Sequence, residues 1–79
     1  MPNRETLAIR AYKLGCLAGE QPNNRKVRRR ALVAMKELLA ATTEDDLRIL
    51  AALTGESLAT MRKTHQESIQ AIDAELVAL

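Results

Sequence analysis

The chain contains neither Phe nor Trp and a single Tyr, Tyr12, so any core must be assembled from Ala, Leu, Ile, Val and Met. Ala and Leu are strong helix formers, whereas the aromatic and β-branched residues that fill strands are scarce here. An all-α fold follows. The 79 residues supply one domain, 1–79, because a core of this size removes only about 60% of the unfolded surface from water. Such a small domain calls for a staple or a second chain. Cys16 is the only cysteine and His65 the only histidine, so neither an intrachain disulfide nor the usual four-ligand zinc site can be built. Self-association remains, and a homodimer is predicted. Cys16, among apolar neighbours, is expected to pack as a small buried hydrophobe.

Local signals divide the chain into four helices, the third short and the fourth longest. The first runs from about 4 to 19, with Asn3 as its cap and Glu5 near the positive end of the helix dipole. Apolar residues nearly encircle it, interrupted mainly by Arg10 and Lys13. A helix of that kind is buried or covered by another chain. Gly15 and Gly19 serve packing there, and Gly19 is an alternative helix end. Glu20-Gln21-Pro22-Asn23-Asn24 makes the clearest break. The second helix, from about 24 to 41, gathers Val27, Ala31, Leu32, Ala34, Met35, Leu38 and Leu39 on one arc.

Thr42-Thr43 followed by Glu44-Asp45-Asp46 marks a third start, since a threonine cap with an acid three positions later satisfies two orphan backbone donors. That segment ends at Thr54-Gly55, and Ser57 caps a last helix. In it Leu58, Met61, His65, Ile69, Ile72, Leu76 and Leu79 repeat every 3.5 residues on average. The period is that of a coiled-coil seam. Such a narrow stripe suits one facing helix, in this chain or in a second copy. His65 within it is expected to pack with one ring nitrogen satisfied.

Catalysis is hard to assemble from one His, one Cys and one Tyr at separated positions, with no loop long enough to shape a pocket. The chain is read as non-enzymatic, with no catalytic residue, no metal site, no cofactor and no small-molecule substrate. Gly15-Cys16-Leu17-Ala18-Gly19 lacks the strand and spacing of a phosphate loop. Met1-Pro2-Asn3-Arg4-Glu5 lacks the layout of a secretory signal, and no apolar run approaches the roughly 18 residues of a membrane span. The expectation is a cytoplasmic protein without a membrane partner.

Two features point to a macromolecular partner. Arg25-Lys26-Val27-Arg28-Arg29-Arg30 places five cations in six positions at a helix start, where the dipole disfavours each by a few tenths of a kcal/mol or more. Arg28 is also aimed into the arc of Leu32, Met35 and Leu39. Such a run is either a solvated basic face or a contact for an anionic partner.

The second feature spans Leu50 to Lys63. Ala51 precedes Gly55 by four, Ser57 and Thr60 open the next helix, Met61 falls at an inward position, and Arg62 and Lys63 follow. This pattern resembles the helix-turn-helix of bacterial DNA-binding proteins, and its Leu-Thr-Gly turn before a Ser-initiated helix is similar to MerR-type regulators. The resemblance implies a helix-turn-helix at 47–64, with Arg62 and Lys63 on the groove-facing side. The residue after the turn glycine, apolar in that pattern, is here Glu56.

The sequence thus predicts a homodimeric DNA-binding regulator of bacterial or phage type. Arg28, Arg29 and Arg30 would contact phosphates, and Ser57, Thr60, Arg62 and Lys63 would approach base edges. The alternative is a helical adaptor or inhibitor whose basic and apolar faces meet an acidic surface of another protein. The mild net charge of +2 and the acids at 44–46 favour the alternative. The clustered arginines and the turn favour DNA.

Overall fold

Each helix in the computed structural model, which describes residues 3–79, begins at a residue whose side chain accepts a backbone N–H three positions on. Asn3 caps α1 (Arg4–Glu20), Asn24 caps α2 (Arg25–Ala41), Thr43 caps α3 (Glu44–Thr54) and Ser57 caps α4 (Leu58–Ala78). At Thr43 the cap is reciprocal, since its backbone N–H donates to Asp46 Oδ2 at 2.8 Å while its Oγ1 accepts from the Asp46 N–H at 3.2 Å. Such caps are each worth about 1 kcal/mol. Helix α1 continues through Gly19 to Glu20, and Gln21 ends it. Met1 and Pro2, which open the stretch read for a secretory signal, lie outside the described residues.

Helix α2 is the hub. It packs on α1 along one side and on α4 along another, while α3 packs on α4. Helices α2 and α4 run in opposite directions, for Leu39 meets His65 near one end and Arg28 meets Glu75 near the other. The core consists of Leu7 and Ala11 from α1, Ala31, Leu32 and Ala34 from α2, Leu47 from α3 and Ile72 from α4. Ala31 and Ala34 of α2 are the most deeply buried of these, at 4% and 2% exposed. All seven residues of the α4 seam are buried or half-buried, so α2 and α3 of the same chain cover much of that stripe.

Helix α1 differs from α4 in this respect. Only Leu7 and Ala11 are fully buried, while Ile9 stands half in water and Tyr12 is 74% exposed. Cys16, expected inside, is exposed, because α1 packs along one side on α2, touches α3 only near its start through Arg4, and leaves its outer half to solvent. The surface totals 5842 Å², about 1,100 Å² above the ~4,700 Å² of a folded monomer of this mass. The radius of gyration, 13.5 Å, likewise exceeds the ~11.6 Å of a closed domain of this length. As folded, the monomer leaves apolar surface uncovered. No helix among the described residues is long and apolar enough to cross a membrane.

Candidate functional site

The antiparallel α1–α2 hairpin brings together cations that lie far apart in sequence. The first turn of α2 holds no acid, and Arg25, Lys26, Arg28, Arg29 and Arg30 are all exposed. Arg28 does not enter the Leu32, Met35 and Leu39 arc. Its long stem carries the guanidinium outward to within 3.5 Å of Glu75 Oε2, where water and a carboxylate solvate it better than an apolar rim. Arg29 and Arg30 have no carboxylate partner among the ion pairs of the described residues, and neither has Lys13.

These side chains border an open groove of 720 Å³ along the α1–α2 seam. Ile9, Leu14 and Val33 form its apolar floor, and Arg10, Lys13, Arg29 and Arg30 form its rim. Arg10 reaches Glu37 at 3.5 Å and so marks one end. The groove offers apolar contact in the middle and positive charge on both sides. Arg10 and Lys13 read in sequence only as polar interruptions of an apolar helix. Their i, i+3 spacing was the available signal, but it acquires meaning only once α2 lies alongside.

The second group lies at the α3–α4 junction. Gly55 adopts φ 76°, a left-handed conformation, and its N–H donates to the Ala51 carbonyl at 2.9 Å. Ser57 Oγ accepts the Thr60 N–H at 3.1 Å and lies 2.8 Å from Thr60 Oγ1. Both hydroxyls are thereby engaged with each other. Arg62 donates through Nε to Glu44 Oε1 at 2.7 Å, and its Nη2 reaches the same oxygen. This bond holds the Glu44 carboxyl below the usual range and raises the Arg62 guanidinium above its own. Lys63 stands 4.0 Å from Glu67. His65 Nε2 lies 2.8 Å from the Leu39 carbonyl oxygen, the single satisfied nitrogen expected of it.

The residues expected to bind DNA therefore fall into two groups that the fold does not bring together. Arg28 sits beside Glu75, and Arg62 lies 13 residues earlier on α4, a separation of about 20 Å at 1.5 Å per residue. No family model matches the chain, and no curated protein or solved structure matches it either.

Proposed function

We propose that the chain is a non-enzymatic helical interaction module that receives an amphipathic, acid-bearing helix of a protein partner in its α1–α2 groove. One observation carries this reading. The groove pairs an apolar floor of Ile9, Leu14 and Val33 with a rim on which Lys13, Arg29 and Arg30 have no carboxylate of their own. An amphipathic helix laid in such a groove buries its apolar stripe while its flanking acids meet the cations. On this reading the protein works in the cytoplasm, where its exposed lone thiol stays reduced.

A second reading, a homodimeric DNA-binding regulator, is favoured by the turn. Left-handed Gly55 and the Ser57 cap stand at helix-turn-helix spacing, with Ser57, Thr60 and Lys63 exposed for bases and Arg28, Arg29 and Arg30 for phosphates. It is the weaker of the two, because Arg62 is occupied by Glu44 and the two basic groups lie on different helices, with Arg28 beside Glu75 and so about 20 Å along α4 from Arg62.

Fluorescence anisotropy separates the readings. The module should bind a labelled acidic amphipathic helical peptide saturably, and the Arg29→Glu, Arg30→Glu variant should lose that binding. A labelled random duplex should bind weakly at low salt. If the duplex instead binds tightly with a steep log-linear salt dependence, and the peptide does not, the regulator reading replaces this one.

A further inference from the structure

We propose that the helix received in the α1–α2 groove is α3 of a second copy of this chain, so that two copies exchange α3 faces. The proposal rests on the protein-binding reading above and names its partner. At 100° per residue, Asp45, Ile49, Ala52 and Leu53 share an arc of about 100° on α3, and Glu56 follows the left-handed Gly55 just past the helix end. All five are exposed, Ile49 at 59% and Leu53 at 78%, and the Asp45 side chain at 86%. Asp45 precedes this apolar patch and Glu56 follows it, and Arg48, outside the arc, stands 3.8 Å from the exposed Asp45 carboxylate. Large apolar side chains this exposed on the middle of a helix indicate a covered surface.

The two surfaces match in chemistry and in length. Ile49 to Leu53 covers about 6 Å of helix, as does Arg29 to Val33 on the groove wall. The acids at 45 and 56 then overhang toward Lys13, Arg29 and Arg30. Helix α3 cannot reach its own chain's groove, for it is packed on α4. Exchange between two copies uses each surface twice and closes a twofold pair.

Sedimentation equilibrium on the full chain tests the exchange. The wild type should form a dimer of twice 8.7 kDa. Arg29→Glu with Arg30→Glu sets acids against acids, and Asp45→Lys with Glu56→Lys sets cations against cations. Each double variant, shown helical by circular dichroism, should dimerise about tenfold or more weakly. Mixed in equal amounts, the two variants should recover a 1:1 dimer, because both contacts in that pair are again complementary. A wild-type dimer indifferent to either variant, or a mixture that stays monomeric, overturns the proposal. A monomeric wild type also overturns it, and the acidic amphipathic peptide then decides the broader reading. Binding of that peptide leaves the protein-binding module standing with a foreign partner, and its failure removes both.

Discussion

Arg62 donates to Glu44 Oε1 through its Nε at 2.7 Å, and so ties the second turn of α4 to the first residue of α3 across the Gly55 turn. The side chain expected to reach toward a base is instead a strut between two helices. Asp46, two residues on, ties the same helix start to α1 through Arg4. Its carboxyl is held below the ordinary value, first by the Thr43 backbone N–H and then by the Thr43 side chain and Arg4.

Stability should accordingly fall in acid through these carboxylates. Both have folded pKa values depressed below the unfolded ones, so their contribution is present above the unfolded value and is lost as pH falls through the folded one. Thermal melts from pH 6 to pH 2 should show Tm declining below about pH 4. The Asp46→Asn, Glu44→Gln variant should melt lower at pH 6 and show a flatter decline. Parallel curves for variant and wild type would assign the acid sensitivity to other groups.

Gly15 and Gly55 should respond oppositely to added side chains. A Cβ at either position meets no heavy atom within 4 Å, so backbone conformation decides the outcome. Gly15 lies inside α1, and Gly15→Ala should stabilise by about 0.5–1 kcal/mol. Gly55 has φ 76°, and Gly55→Val should destabilise by at least about 1–2 kcal/mol. Urea titration measures both, and equal midpoints would contradict the turn geometry.

The α4 seam sets a steep contrast between neighbouring apolar positions. Ile72 is 6% exposed and Val77 is 89% exposed. Ile72→Ala should cost about 2–5 kcal/mol, combining lost transfer energy with a residual cavity. Val77→Ala should stay within about 0.5 kcal/mol of the wild type. Comparable losses in chemical denaturation would mean that α4 is rotated about its axis.

Cys16 should react with a thiol reagent in the folded protein, at a rate that denaturant raises only modestly, because its side of α1 is open to water. It should also remain reactive in the proposed dimer, whose groove is lined by Ile9, Lys13 and Leu14 rather than by Cys16. Labelling that requires unfolding would show that the outer face of α1 is covered.

Helix limits, caps and the α4 seam were all readable from the residues. Asn3, Thr43, Gly55 and Ser57 act through bonds that close within three or four positions, so their signals are local. The seam is likewise a property of one helix and its period. The placements of Cys16, Arg28 and Arg62 and the assembly of the groove were not readable, since each depends on the rotation of one helix against another. Helix α1 is apolar nearly all round, which leaves several rotations close in energy until α2 selects the Leu7 and Ala11 side. That selection turns Cys16 outward, and the antiparallel register then brings Arg10 and Lys13 opposite Arg29 and Arg30. Only the tertiary structure could decide it, because the partners lie about 15 to 20 residues apart and no local bond links them.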